Sequence, residues 1–537
     1  MLPRSHEPNK KDAKKPGRNR KDAMKKSQVL GAVLLLLASA HTPARTTQPT
    51  TLRFEITIAA GLTASPKNGR LFVVMSQRSQ PEPRRTIGQT GLDASRMVAR
   101  DVKDFGPGVT ASVDEKCVTF PIQSLAALAA GDYFVQAVFD SNNDLKGMDA
   151  PGNLFSVPRK VHLDPSQTAA VKIELTAAVP PEQLPPDSEF IKYVRVQSNL
   201  LSKFHGRPIY LRAGVILPRA YASDPQKRYP LRVSIGGYGS RFTAVQQMMR
   251  QGSSFRNAWE SDGAPQMVLL HLDGDGPYGD CYQVNSDNNG PCGDALTQEL
   301  IPLVEEKFRC IGQPWARVLE GGSTGGWVSL ALQVFYPDFF NGTWSGFPDG
   351  VDFRAFQLIN IYDDQNAYVS KSGFERPSAR ELNGDVRFTI RHECQMENVI
   401  GLGDSYTMSG EQWGAWNATY GPRGADGRPA PLWDPKTGKI DSKLVEYWKR
   451  YDLRMILEQN WKALGPKLRG KLTIWVGEAD QYFLNNAVHL LDAFLSKADP
   501  PYEGKIIYGP GKGHGWMAFT EREMMDQMSA AIEKARR

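Results

Sequence analysis

The sequence predicts an α/β protein built on a doubly wound, mostly parallel sheet, preceded by a smaller all-β sandwich. Three observations carry this. From Phe190 onward, apolar strand candidates alternate with helical patterns, which calls for a parallel sheet covered by helices on both faces. Residues 51–178 instead hold short period-2 runs separated by turn clusters such as SPKNG and DSNND, the pattern of a sandwich. Between the two lies VPPEQLPPDS, with four prolines in ten positions, so 179–189 reads as a stiff linker.

In the β portion the strand candidates are Leu52–Ile58, Arg70–Met75, Tyr133–Phe139 and Val171–Leu175. In 190–537 they are Ile209–Leu217, Tyr229–Ile235, Gln266–Leu272, Ala316–Leu319, Lys471–Val476 and Lys505–Tyr508. Helices are expected from about Asp294 to Arg309, where Leu296, Leu300, Leu303, Val304 and Phe308 share a stripe, after Gly325, and from Thr520. Thr520 with Glu523 three residues on is a capping-box pattern. The stretch 350–465, rich in Trp, Asn, Gly and Pro, breaks the rhythm and reads as an insertion forming a lid or pocket wall.

The charge pattern concerns address, not partner. The chain of 537 residues nets +7, and residues 1–26, with ten basic and three acidic side chains, hold the whole excess. Residues 41–537 carry 55 of each sign, which excludes a globally basic nucleic-acid binder. Val29–Ala40 is too short for a permanent membrane span, which needs about 20 apolar residues, and Ala38-Ser39-Ala40 is a cleavage pattern. Residues 1–40 are therefore expected to be a secretory signal cut near Ala40, with Met24 as the true start, and the mature protein to be periplasmic or secreted. Five cysteines fit export loosely, and Cys281 and Cys292, flanking a polar loop, are a candidate disulfide. Neither C-x-x-C nor HExxH occurs, so the residues call for no metal site and no cofactor.

The chemistry lies in ARVLEGGSTGGWVSLAL. Gly321-Gly322-Ser323-Thr324-Gly325 fits G-x-S-x-G between a strand and a helix, the setting in which a sharp turn lifts a serine hydroxyl clear of a sheet. A serine at its ordinary pKa needs a base. His514, between glycines on the loop after the last strand, is the candidate. Asp480, four residues beyond a strand in KLTIWVGEADQYF, is the carboxylate expected to orient it, with Glu478 the rival. Oxyanion donors are expected from the backbone N–H of Gly237 or Tyr238, in the GGYG turn after Ile235, and of Thr324.

SIGGYG, NGPCGDALTQELIPLVEEKF, EGGSTGGW, YPDFFNGTWSGFPD, GEADQYFL and GHGW occur in that order. Together they resemble the esterase branch of the α/β-hydrolase fold that includes enterochelin-esterase-like and formylglutathione-hydrolase-like enzymes. The resemblance spans about 190–537 apart from the insertion, and departs from the branch in having Gly236-Gly237 where a His-Gly pair is usual. It implies a serine hydrolase cleaving carboxylic esters, small-molecule or glycan-linked, through an acyl-enzyme. Two other readings stay open from the residues: an acyltransferase or peptidase on the same triad, and a non-catalytic protein that holds a glycan or peptide.

Overall fold

The computed structural model describes residues 50–168 and 170–537; the expected signal segment lies outside them. Strands of the first 130 or so described residues form two sheets. In the smaller, Arg53–Ile58 lies between Ala111–Val113 and Ala170–Leu175. In the larger, Lys67–Ser76 pairs with Arg96–Phe105 and Gly131–Asp140. Period 2 is plain in Arg53–Ile58, where Phe54, Ile56 and Ile58 are buried. It fails in Lys67–Ser76, where the last seven residues are all buried. The reason is packing on both faces. Leu71, Val73 and Met75 turn toward the core between the sheets, whereas Phe72 and Val74 pack on Met396, Val399 and Ile400.

The second portion is an eight-stranded sheet. Its strands are β1 (Ile191–Ser198), β2 (Ile209–Ile216), β3 (Leu231–Ile235), β4 (Val268–Leu272), β5 (Arg317–Gly322), β6 (Thr343–Gly346), β7 (Leu472–Gly477) and β8 (Lys505–Gly509). Their order is β1-β2-β4-β3-β5-β6-β7-β8. Only β2 is antiparallel to its neighbours; β3 through β8 pair in parallel. Fully buried runs such as VLLHL and LRVSI suit strands covered on both faces. Two strands were not expected. β1, IKYVRVQS, is an edge strand with two basic residues, and β6, TWSG, is four residues of weak strand character.

α1 (Thr324–Phe335) follows β5 and is buried over all but its last residue. The predicted helix over Asp294–Arg309 runs as Cys292–Ala295, a wider π turn at Leu296–Leu300, and Ile301–Lys307. Pro302 lacks an N–H and crowds the preceding turn, which accounts for the widening. The insertion holds α2 (Ile390–Ile400) and α3 (Gln412–Tyr420) and runs into α4 (Leu453–Leu468). Its aromatic residues Phe353, Phe356, Trp413, Tyr420 and Trp448 pack edge to face on one another. Of α3, Gln412 and Trp416 reach the cavity described below. α5 (Glu521–Arg536) closes the chain with the full capping box of Thr520 and Glu523.

The disulfide expected between Cys281 and Cys292 is not formed; both are free thiols. They are neighbours in a small apolar cluster with Leu201 and Ala295. Cys292 Sγ donates to Asn289 O at 3.4 Å, and the adjoining Cys292 thiol together with burial pushes the Cys281 thiol up. Among the described residues no helix is long and apolar enough to cross a membrane. All of them belong to one compact unit.

Candidate active site

The C-terminal edge of the parallel strands gathers five chain turns: after β3, β5, β6, β7 and β8. Ser323 sits on the turn from β5 into α1 with φ 59° and ψ −122°, a region that costs a non-glycine residue about 1–3 kcal/mol. Close packing holds it there. A Cβ on Gly321 would lie 2.2 Å from the Gly325 carbonyl oxygen, and one on Gly325 would lie 2.1 Å from that of Ile235. The glycines of the turn thus allow strand, turn and helix to touch.

His514 Nε2 is 3.1 Å from Ser323 Oγ, and His514 Nδ1 is 2.9 Å from Asp480 Oδ2. With Nδ1–H donating to the carboxylate, Nε2 is left to accept the serine proton. The rings of Phe347 and Tyr482 flank the imidazole, each at 4.9 Å, and its backbone N–H donates to Gln481 Oε1. The Asp480 side chain is fully buried, and its Oδ1 accepts the Tyr482 N–H at 2.9 Å. Glu478, the rival, is exposed.

The expected oxyanion residues lie at the same place. Gly237 packs against the turn, where a Cβ would be 3.8 Å from Ser323 Cβ. Tyr238 reaches over to donate its hydroxyl to Gly410 O of the insertion. Thr324 opens α1, so its N–H is one of those a helix leaves without an internal partner. Gly236 replaces the usual histidine because a Cβ there would meet Ser240 Oγ at 2.1 Å. A histidine from β4 is close by: His271 sits between Ser234 Oγ (3.2 Å) and Ser240 Oγ (3.1 Å).

One residue at the site was missed by sequence reasoning. Asp349, three residues beyond β6, is buried with Oδ1 3.5 Å from Ser323 Oγ. Its Oδ2 accepts from Tyr282 Oη (2.6 Å), Thr324 Oγ1 (3.1 Å) and Trp416 Nε1 (3.1 Å). Burial raises its pKa against these donors. The available signal was its place in GFPDG, just past a short strand.

These groups open into a cavity of about 670 Å³. Glu320, Asp349, Glu393, Glu397 and Glu411 line it, with no Lys or Arg. Glu397 is structural: it accepts the N–H groups of Trp413 and Gly414 and the Ser409 hydroxyl. Burial, then Glu393, pushes the Glu411 carboxyl up to about 7.

No curated protein matches the chain. Among solved structures, a ferulic acid esterase is 13% identical, with 65% of this chain and 99% of that one covered at a TM-score of 0.39. An S-formylglutathione hydrolase from Agrobacterium tumefaciens is 12% identical, with 65% and 98% covered at 0.36. A ferulic acid esterase from Anaeromyces mucronatus is 13% identical, with 65% and 93% covered at 0.32. A family model described as "Putative esterase" matches residues 209–492, just over half of the chain. The chain therefore belongs to that esterase family.

Proposed function

We propose that the protein is a serine esterase that cleaves carboxylic esters through an acyl-enzyme. The carrying observation is the continuous hydrogen-bonded series from Ser323 Oγ through His514 to buried Asp480. Ser323 Oγ attacks the ester carbonyl while His514 Nε2 takes its proton. The C–O bond to the alcohol then breaks, His514 returns the proton to the leaving oxygen, and the acyl group stays on Ser323. Water activated by His514 frees the acid and restores the serine. Asp480 holds the imidazole tautomer and balances the charge of its protonated form. The N–H of Thr324 and that of Gly237 or Tyr238 hold the tetrahedral oxyanion, each donor contributing about 3–4 kcal/mol.

Two further readings belong to this proposal. Residues 51–178 act as a β-sandwich domain attached to the catalytic domain. The enzyme is exported, with residues 1–40 removed as a signal. Support for the latter comes from the basic stretch, the short apolar run and the small residues before the cut. A pre-steady-state burst of alcohol from an activated ester tests the reaction. One equivalent of alcohol should appear before the steady state, and Ser323→Ala should abolish it; linear release unaffected by that change would overturn the reading.

A further inference from the structure

Three stretches of chain bound the catalytic cavity: the sheet edge, the insertion, and Gly88 with Thr90 from the N-terminal portion. The last is the unexpected one. Gly88, at φ 91°, backs onto the insertion, where a Cβ on it would lie 3.2 Å from Glu411 Oε1. The loop carrying Gly88 and Thr90 is fixed at both ends. The Arg84 N–H donates to Gln136 Oε1 (2.9 Å), and the Gly91 N–H donates to His392 Nε2 of α2 (3.1 Å). Below it, Arg70, 1% exposed, donates to the Val399 carbonyl (2.7 Å) and to Asp404 (2.9 Å). A segment tied in this way is a wall, not a passing strand of chain.

The chemistry of this end of the cavity is one-sided. No Lys or Arg lines it, and among the described residues none donates a hydrogen bond to the Glu411 carboxylate. Gln412, beside it, is engaged with the Tyr282 hydroxyl. A ligand group that donates hydrogen bonds meets acceptors here, whereas an anion meets Glu411 and Glu393 without a compensating cation. We propose that Gly88, Thr90 and Glu411 are specificity-determining residues that form the subsite for the non-reacting end of the ester, admitting neutral or cationic hydrogen-bond donors and rejecting anions. The N-terminal portion thereby takes part in choosing the substrate. This inference rests on the esterase reading.

Three 4-nitrophenyl esters of equal chain length, ending in hydroxyl, ammonium or carboxylate, test it with the full chain. At about pH 8.5, where the Glu411 carboxyl, pushed up to about 7, is ionised, wild type should show kcat/KM about tenfold or more higher for the first two than for the third. Glu411→Gln, which keeps the shape and removes the charge, should narrow that ratio several-fold. Thr90→Trp should lower the ratio of kcat/KM for the hydroxyl-tipped ester to that for the acetyl ester by about tenfold, mainly through KM. Melting temperature and circular dichroism report whether each variant folds, and the charge test stands on Glu411→Gln alone if Thr90→Trp does not. Turnover in which the carboxylate ester matches the hydroxyl ester, or ratios unmoved in folded variants, overturns the subsite while leaving the esterase intact. Absence of turnover on every ester overturns both.

Discussion

Asp349 Oδ1 lies 3.5 Å from Ser323 Oγ, so the hydroxyl that faces His514 Nε2 at 3.1 Å has a second, weaker acceptor. Asp349 also joins three separate elements through its other oxygen, taking donors from Tyr282, from Thr324 of the serine turn and from Trp416 of the insertion. It is a positioning residue for the serine. Asp349→Asn should lower kcat about tenfold to a hundredfold with little change in KM, since an amide turned toward Ser323 Oγ donates where the carboxylate accepts. Asp349→Ala, which removes the shared acceptor of three buried donors and leaves only the Tyr282 and Thr324 hydroxyls able to turn to each other, should also cost about 1–3 kcal/mol of stability by denaturant unfolding. A D349N variant with wild-type kcat would remove this role.

The pH dependence of stability follows from Glu411. Its carboxyl titrates at about 7 in the folded protein, above the ordinary glutamate value, because burial and Glu393 both disfavour its charge. The native state therefore holds a proton that the unfolded chain releases near 4.5. The associated stability is fully present below the unfolded value and is lost as pH rises through 7. Glu411→Gln should flatten the fall in melting temperature between pH 5 and 8, with a gain at pH 8 of no more than about 3 kcal/mol, given its partial exposure. A Gln variant with the same slope as wild type would contradict the assignment.

The attachment of the N-terminal portion depends on Arg70. Its guanidinium, almost fully buried, reaches Asp101 on its own sheet and Val399, Asn398 and Asp404 on the insertion. Arg70→Ala strands the Val399 and Asn398 carbonyls, while Asp101 and Asp404 can turn to solvent, and should destabilise the protein by about 2–3 kcal/mol, read as a shift of the denaturant midpoint. Because the same contact holds the cavity wall, selectivity among long esters should also fall. Loss of less than about 1 kcal/mol would mean that the other contacts, the apolar face of Phe72 and Val74 and the Gly91–His392 hydrogen bond among them, hold the two portions together.

The turn at Ser323 should tolerate no added methyl at Gly325. The 2.1 Å approach to the Ile235 carbonyl oxygen is backbone on backbone, so nothing flexible can yield. Gly325→Ala should lower the melting temperature by an amount equivalent to about 1–3 kcal/mol or more, and reduce ester turnover with it. An alanine variant of wild-type stability would show that the turn has more room than this packing implies.

What was readable in the sequence was local. Ser323, Asp480 and His514 each sit just past a strand of the sheet, within short stretches whose glycines and turn residues advertise the backbone they need. Chain order then suggested their relation, and the fold brings them within hydrogen-bonding reach. Asp349 follows a strand of only four residues, and its partners Tyr282 and Trp416 lie 67 positions away on either side, so no spacing pattern connects them. The wall made by Gly88 and Thr90 was hidden for the same reason. It depends on a sheet whose outer face is apolar because an insertion helix more than 300 residues later covers it. The cysteine pair shows the opposite limit: proximity was legible, yet both sulfurs stay as thiols.

The central claim is that Ser323 is the nucleophile, and labelling with a fluorophosphonate followed by peptide mass spectrometry tests it most directly. One adduct per chain should form on the peptide holding Ser323, vanish in Ser323→Ala, and form far more slowly in His514→Ala. Folded protein that takes up no label, or that carries the label on another residue, would contradict it.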